Sequence, residues 1–353
     1  MERLDDRKYI TKLDKAKMRM LIGGLPGQFS AAGKSFQEAN LSLRGRYTSV
    51  VVAGMGGSAI GGDLACARLY SDFPAPISVV RGYEVPSFVT KNTLLIAVSY
   101  SGNTEETLSA FQDGKKRGAR VVCIASGGSL MEMAKSESLP FLTVPEGLPP
   151  RCAIGALTTY ILLSIGLAFQ VPGYAAELED VADVLKNMRS ALELDSPLKE
   201  NPAKKIAGNL VHKLPFVYSS CRMTDPVAKR WSTQINENAK SLCHYSNLPE
   251  LDHNEIVGWG IPREVSYASH VLFLDPGNLS DKLKRRLKVT KEIVSQVAEA
   301  ETLTAGGTGD LARLFSLIFL GDYVSFYLAM LNGVDPTPVE RIDLLKTKLR
   351  EGQ

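Results

Sequence analysis

Residues 93–107 have the sequence Thr-Leu-Leu-Ile-Ala-Val-Ser-Tyr-Ser-Gly-Asn-Thr-Glu-Glu-Thr. The apolar run at 93–99 predicts a buried strand, and residues 105–117 predict a helix. The loop between them is rich in hydroxyl groups and contains one glycine. A strand that passes through a short loop into a helix is the repeating unit of a parallel α/β sheet. This stretch therefore predicts the fold class.

The same alternation extends over most of the chain. Continuous apolar runs separated by helices of ten or more residues are typical of a parallel sheet covered on both faces. We predict a first series of strands at 49–53, 77–80, 93–99, 120–124 and 141–144. A second series is predicted at 216–219, 241–245, 271–274 and 301–304.

Two series of strands indicate two domains in tandem. We predict an α/β protein in which each domain has a parallel sheet flanked by helices, in a flavodoxin-like arrangement. The predicted boundaries are a helical extension at 1–45, a first domain at 46–172, a connecting helix and linker at 173–204, and a second domain at 205–353 that ends in a helix.

The composition argues against several classes of protein. Of the 353 residues, 44% are hydrophobic and 22% charged, which is typical of a soluble globular protein. A net charge of +3 without a basic block indicates neither a nucleic-acid nor a membrane partner. Five scattered cysteines without a C-x-x-C pair argue against disulfides and zinc. The charged N-terminus and the interrupted apolar stretch at 153–169 predict a cytoplasmic protein without a membrane span.

A glycine-rich turn, Gly-Met-Gly-Gly-Ser-Ala-Ile-Gly-Gly at 54–62, follows the first predicted strand. Its glycines would let backbone N–H groups approach a ligand, and the next helix would point its positive end at it. The turn does not match the dinucleotide pattern G-x-G-x-x-G, because the sixth position is Ala59. The acidic ribose ligand is also missing, since Arg81 and Gly82 occupy its place. The turn either holds another ligand or uses its glycines for packing.

The loop at 99–104 predicts a phosphate site. Asn103, followed three residues later by Glu106, predicts a capping box that fixes the start of the helix. Ser99, Ser101 and Thr104 then converge with free N–H groups at a helix N-terminus. Hydroxyls and backbone donors without a lysine suit a phosphate monoester. The alternative is a well-capped loop without a ligand.

A strand, a Ser-x-Ser-Gly-x-Thr loop and a helix together resemble the sugar isomerase (SIS) domain family, which binds phosphosugars. Gly-Met-Gly-Gly-Ser-Ala-Ile-Gly-Gly-Asp at 54–63 resembles its phosphoglucose/phosphomannose isomerase branch. Two such domains would cover about 45–350. The resemblance implies a phosphate held by Ser99, Ser101 and Thr104, with Gly57 and Ser58 on the other side of the sugar site.

Arg151 lies in Leu-Pro-Pro-Arg-Cys, at a strand-to-helix junction that paired prolines stiffen. A guanidinium in that position could stabilise the negative charge of an enediolate. From the sequence alone, an arginine paired at a surface turn is an equally good interpretation. The resemblance implies that Arg151 is the catalytic arginine.

Glu237 lies far round the predicted helix from an apolar stripe formed by Trp231, Ile235 and Ala239. Periodicity alone therefore predicts that Glu237 is exposed to solvent. The string Asn-Glu-Asn-Ala-Lys, however, resembles the family motif that carries the catalytic glutamate. The resemblance implies that Glu237 moves a proton between C2 and C1 of the open-chain sugar.

His253 stands in a polar loop among carboxylates, which favour the charged imidazolium, although a lone loop histidine is more often a surface residue. The resemblance implies that His253 helps to open the sugar ring from a neighbouring subunit, assisted by Lys346 of the final helix. No second His or Cys lies at metal-ligand spacing. Thr337, Pro338 and Glu340 predict a capping box at the start of that helix.

The resemblance thus implies an isomerase that interconverts glucose, mannose and fructose 6-phosphates through a cis-enediol. It needs no metal or organic cofactor and works as a homodimer whose active site is completed across subunits. One alternative is a non-catalytic phosphosugar sensor, which would usually carry a DNA-binding module; the 45-residue N-terminus is short and not basic enough to supply a convincing one. The other is a glutamine-dependent aminotransferase, but the first cysteine is Cys66 rather than an N-terminal nucleophile.

Overall fold

The computed structural model describes residues 2–351 of the chain. Its strands are β1 (Ser49–Ala53), β2 (Ile77–Val80), β3 (Thr93–Val98), β4 (Arg120–Ala125), β5 (Phe141–Thr143), β6 (Leu214–Ser219), β7 (His244–Asn247), β8 (Ser269–Asp275) and β9 (Glu299–Thr304). Its helices are α1 (Arg7–Leu13), α2 (Met18–Gly23), α3 (Leu25–Glu38), α4 (Gly56–Leu69), α5 (Glu105–Lys116), α6 (Gly128–Ser136), α7 (Ile154–Phe169), α8 (Tyr174–Leu192), α9 (Pro202–Leu210), α10 (Asp225–Ala239), α11 (Arg263–Tyr267), α12 (Asp281–Val294), α13 (Asp310–Leu331) and α14 (Glu340–Glu351).

The strands form two parallel sheets, and the four strands of the second repeat the order of the first four strands of the first. The first sheet has the order β2-β1-β3-β4-β5 and the second the order β7-β6-β8-β9. In the first, the chain leaves β1 for β2 on one side and returns to β3 on the other, so β1 and β3 are neighbours. Open α/β sheets bind ligands at such a reversal of strand order, beyond the carboxyl ends of the strands. The glycine turn after β1 and the hydroxyl loop after β3 meet there.

The predicted α/β class with parallel sheets flanked by helices is confirmed. One strand is displaced: the stretch predicted at 241–245 forms β7 three residues later. The reason is the end of α10, where Lys240 takes a left-handed conformation and residues 241–243 lead the chain away from the helix. Each sheet lies within one of the two predicted domains, but the domain boundaries themselves stay a prediction.

The long helix α13 lies in a core that both halves share. It packs against α8, α9 and α10, and one continuous apolar cluster includes residues of both sheets. The N-terminal segment joins this core, since Phe29 of α3 meets Phe315 of α13 edge-on at 4.8 Å between ring centroids. Helix α13 is long and apolar enough to cross a membrane, but 89% of its most apolar window is buried inside the protein. It is a core helix, and the predicted cytoplasmic location stays a prediction.

Candidate active site

Arg151 connects the two halves of the protein. It lies in a 3₁₀ turn just before α7, and its side chain is only 5% exposed. Its Nε donates to Oδ1 of Asn238 at 2.8 Å, and its Nη1 donates to Oε2 of Glu237 at 3.3 Å. Its Nη2 donates to the carbonyl oxygens of Pro336 at 2.9 Å and Thr337 at 3.0 Å. The interpretation as a surface arginine is therefore wrong.

Glu237 faces this arginine rather than open water. The stripe of Trp231, Ile235 and Ala239 is buried as predicted. The other side of α10 is also covered, because it packs against α4 and the turn that carries Arg151. The side chain of Glu237 keeps 30% of its exposure, so it can reach a ligand. The solvent-exposed position predicted from periodicity alone is corrected to a partly buried position between α10 and the turn of Arg151, which we call the cleft.

Lys240 adds a second cation next to Glu237. Its Nζ donates to the carbonyl oxygens of Glu237, Pro336 and Pro338, the last at 2.6 Å. Burial, followed by repulsion from Arg151, lowers the pKa of the Lys240 ammonium. A lysine at a helix C-terminus is favoured by the free carbonyl groups there. Lys240 was not predicted as a site residue from the sequence. Its place at the end of the Asn-Glu-Asn-Ala-Lys string, three residues after Glu237, is the feature that could have indicated it.

The glycine turn approaches Arg151 closely. A Cβ added to Gly57 would lie 3.1 Å from the backbone of Pro150 and of Arg151, so the absence of a side chain lets α4 begin against this turn. Ser58 is buried, and its Oγ accepts a hydrogen bond from the backbone N–H of Tyr100 at 3.0 Å. Gly57 and Ser58 therefore link the turn of Arg151 to the hydroxyl loop.

The hydroxyl loop precedes α5, which starts at Glu105. The buried Ser99 donates through Oγ to Oγ1 of Thr104 at 2.9 Å, while Ser101 is exposed. The predicted capping box is wrong: Thr104 is the N-cap residue, and no side chain among the described residues caps the helix. Asn103 instead accepts from the backbone N–H of Ser129, because the loop packs against the start of α6. The first N–H groups of α5 are thus left for an anion.

Gly102 holds this loop against its neighbour, and we predict that Gly102→Ala disrupts it. Gly102 has a φ of 71°, and an added Cβ would lie 1.8 Å from the carbonyl oxygen of Gly127. The loss of unfolding free energy, measured by urea denaturation, should exceed the roughly 1–2 kcal/mol expected from left-handed strain alone. The KM for a sugar phosphate should rise because the loop is displaced.

Gly147→Ala is the matched control for this prediction. Gly147 has a φ of 85°, but an added Cβ would meet nothing within 4 Å. The control should therefore show only the conformational strain, with an unchanged KM. Equal losses of stability in the two variants would contradict the clash with Gly127.

His253 and Lys346 are exposed residues outside the hydrogen-bond network of Arg151. His253 ends a 3₁₀ turn and Lys346 lies in α14, and both side chains are exposed. Within residues 2–351, no hydrogen bond or ion pair joins either of them to Arg151 or Glu237. The hydrogen bonds within residues 2–351 therefore join Arg151 to Glu237 and the glycine turn to the hydroxyl loop, but they do not include these two residues.

The start of α14 differs from the prediction. The helix begins at Glu340, so the capping box predicted at Thr337 does not form. Thr337 is held instead by its backbone, whose carbonyl oxygen accepts from Arg151 and whose N–H donates to Asp335. Its Oγ1 is buried, with no hydrogen-bond partner among the described residues. The tertiary contact with Arg151 thus replaces the local cap.

The polar face of α10 forms a buried network that the sequence analysis missed. Gln234 donates to Oδ1 of Asp322 at 3.0 Å, and Arg230 donates to Oδ2 of the same carboxylate at 2.8 Å. Burial raises the pKa of Asp322. Arg230 also donates to the backbone carbonyl of Arg151 at 3.0 Å. Two features of the sequence could have indicated this network. Polar residues recur every four positions on α10, and Asp322 lies in the middle of the apolar helix α13.

The cysteines belong to no metal-binding cluster among the described residues, and four of the five are not activated as nucleophiles. All five are free thiols, and burial raises the pKa of Cys66, Cys123, Cys152 and Cys243 to about 12. Across the described residues 2–351, no group of three or more His, Cys, Asp or Glu side chains is placed to hold a metal ion. The chemistry available at the site is that of a carboxylate, two cations, hydroxyls and backbone N–H groups.

Comparison with known proteins first defines the class. A family model described as the bacterial phospho-glucose isomerase C-terminal SIS domain matches residues 199–349. The crystal structure of a glucose-6-phosphate isomerase like protein from Thermus thermophilus has the same fold, with a TM-score of 0.64 and 19% identity over 95% of this chain and 97% of that chain. Residues 199–349 thus form an SIS domain, and the chain as a whole shares the fold of that neighbour.

Sequence relatives then give the particular family. The bifunctional phosphoglucose/phosphomannose isomerase of Caldicellulosiruptor bescii is 38% identical over 94% of this chain and 98% of its own. That of Aquifex aeolicus is 37% identical over 86% and 91%. The chain belongs to the bifunctional phosphoglucose/phosphomannose isomerase family, and it is an isomerase of sugar phosphates.

Proposed function

We propose that the protein interconverts glucose 6-phosphate, mannose 6-phosphate and fructose 6-phosphate through a cis-enediol, with Glu237 as the base. The observation that carries this proposal is the contact of the Glu237 carboxylate with the buried Arg151 guanidinium, 3.3 Å apart in a partly open cleft. A base and a fixed cation that face one another are what proton abstraction next to a carbonyl requires.

The phosphate of the substrate binds at the hydroxyl loop. Ser101 and Thr104 provide hydroxyls, and the buried Ser99 orients the hydroxyl of Thr104 through its hydrogen bond. The uncapped first turn of α5 provides N–H groups and the positive end of a helix. A chain of contacts leads from this loop through Ser58 and Gly57 to the turn of Arg151. The sugar chain would extend along this path, with its first carbons towards Glu237.

The isomerisation transfers a proton from C2 to C1 through a single intermediate, the enediol. Glu237 removes the proton from C2 of the open-chain aldose, and the electron pair of the C–H bond forms the C1–C2 double bond of the enediol. The O1 oxygen gains the negative charge that Arg151 stabilises. A proton then passes from O2 to O1, and Glu237 returns its proton to C1 while the C2=O double bond forms, which gives the ketose. Glucose and mannose 6-phosphates both enter this route because they share the same enediol.

A second copy of the chain completes the site in our proposal. His253 and Lys346 are both exposed, and neither is hydrogen-bonded to Glu237 within the described residues. The surface near His253 exposes Val257 and Ile261 at 85% and 86%. Helix α14, which carries Lys346, exposes apolar side chains along its length: Ile342, Leu344, Leu345 and Leu349. Exposed apolar surface of this kind is typical of an interface. A homodimer would cover it and bring His253 to the partner's cleft for ring opening.

Subunit complementation tests the homodimer. His253→Ala and Glu237→Gln should each be inactive alone, but hybrids of the two should regain activity. In a C2 dimer, one of the two sites of each hybrid is intact, so an equal mixture should reach about a quarter of the wild-type rate. The mixture is unfolded and refolded together, and size-exclusion chromatography of tagged subunits verifies the hybrid. A verified hybrid without activity would contradict a shared site.

The proposed reaction is tested with fructose 6-phosphate as the only substrate. The assay contains a chelator and no added metal, and coupling enzymes follow glucose 6-phosphate and mannose 6-phosphate separately. We expect both products at comparable rates. Glucose 6-phosphate alone would contradict the dual specificity but leave the role of Glu237 in place. Binding of the sugar phosphate without turnover would favour a sensor and contradict the proposal.

A further inference from the structure

The guanidinium of Arg151 is fixed by acceptors that are not part of the reacting pair. Arginine has five N–H donors in one plane. Three of those of Arg151 point to Oδ1 of Asn238 and to the carbonyl oxygens of Pro336 and Thr337. Only the Nη1 edge faces Glu237. The plane of the cation is therefore set before any substrate arrives.

Among these acceptors, Asn238 is the one side chain. It is fully buried, so it cannot touch a substrate. Its Oδ1 accepts from Arg151 at 2.8 Å, and its Nδ2 donates to Oγ of Ser325 at 2.9 Å. Ser325 in turn donates to the carbonyl oxygen of Asp322 within α13. Asn238 thus ties the guanidinium to the central helix of the core.

The position of Asn238 also relates it to the base. It follows Glu237 directly in α10, so one turn of helix presents the base and the residue that orients its cation. Arg230 of the same helix holds the backbone carbonyl of Arg151 at 3.0 Å. Both ends of Arg151, its backbone and its Nε, are therefore attached to α10. A shift of the backbone or of the Nε of Arg151 would change the distance from its Nη1 to Oε2 of Glu237.

We infer that Asn238 is a positioning residue for the isomerisation: it holds the Nη1 edge of Arg151 towards Glu237 and the charge that forms on the enediolate. Without it, the guanidinium can rotate about its long side chain and pair with Glu237 in another geometry. The loss is then specific to the transition state, because substrate binding depends mainly on the hydroxyl loop. The inference rests on the proposed roles of Glu237 and Arg151.

The test compares Asn238→Ala with the wild-type protein. We expect kcat to fall by roughly 10- to 100-fold, as for a misplaced reacting group, while KM changes by less than about threefold. Two inhibitors separate positioning from loosening of the fold. The affinity for a phosphorylated hydroxamate, whose planar anionic head resembles the enediolate, should fall with kcat. The affinity for sorbitol 6-phosphate, which lacks that charge, should not change.

Two further variants control for stability. Ser325→Ala removes the partner of Asn238, together with the hydrogen bond of Ser325 to the carbonyl oxygen of Asp322, but leaves Asn238 bonded to Arg151, so it should lower kcat in the same direction but less. Ser232→Ala removes another buried hydrogen bond of α10, from Ser232 to the carbonyl oxygen of Cys243, and should leave kcat unchanged. Folding of each variant is checked by near-UV circular dichroism and by its thermal transition.

The outcomes separate this inference from the proposed function. An unchanged kcat in folded Asn238→Ala would overturn the inference, and so would an equal loss of affinity for both inhibitors. If Glu237→Gln is inactive while Asn238→Ala is fully active, only the positioning role fails. If Glu237→Gln keeps its activity, the proposed function fails first.

Discussion

Glu237→Gln is expected to abolish isomerisation while sugar phosphate binding survives. The amide of glutamine can still accept the hydrogen bond from Nη1 of Arg151, so the cleft should keep its shape. It cannot take a proton from carbon, and loss of a general base typically lowers the rate by about 10²- to 10⁴-fold. The measurement is kcat with fructose 6-phosphate, together with calorimetric titration of the same ligand.

Glu179→Gln is the matched control for this substitution. Glu179 is exposed on α8, and no hydrogen bond or ion pair of its side chain is found within residues 2–351. The control should keep full activity. If Glu237→Gln also isomerises at the wild-type rate, another group must be the base, and the proposed mechanism is wrong.

Arg151→Lys is expected to lower kcat by about 10²- to 10³-fold although the charge is kept. A lysine ammonium has three donors on one atom, whereas Arg151 reaches four acceptors from three nitrogens. The ammonium would therefore leave carbonyl groups in the interior without partners or would leave Glu237 without its cation. Steady-state kinetics measures the fall in kcat, and urea denaturation measures the loss of stability that accompanies it.

Arg117→Lys serves as the control for this second prediction. Arg117 donates through Nε and Nη2 to the carboxylate of Asp113 one helical turn away, each at 3.0 Å, with both side chains partly exposed. The substitution should leave kcat unchanged, and its loss of stability should be smaller than that of Arg151→Lys. A wild-type kcat in Arg151→Lys would show that charge alone suffices and that the planar fork has no role.

The hydroxyl loop and glycine turn could be predicted from the sequence because their signals are local. The apolar runs before Gly54 and before Ser99 fix two strands, and parallel strands bring their carboxyl ends to one edge of a sheet. The resemblance to SIS domains then assigned a ligand class to these loops. The capping boxes failed for the opposite reason: Asn103 and Thr337 found tertiary partners that local spacing does not reveal.

The cleft itself was decided only by the tertiary structure. Helical periodicity shows that Glu237 and Trp231 lie on different faces of α10, but it does not show what covers each face. The answer comes from Arg151, which is 86 residues away in the chain and reaches Glu237 only because both halves pack around α13. The environment of Glu237 depends on that packing. So do the hydrogen bonds of Lys240 to the carbonyl oxygens of Pro336 and Pro338 and the contact of Asn238 with Arg151. A sequence determines local backbone preference, whereas the partner of a buried charge is set by which distant segments share a core.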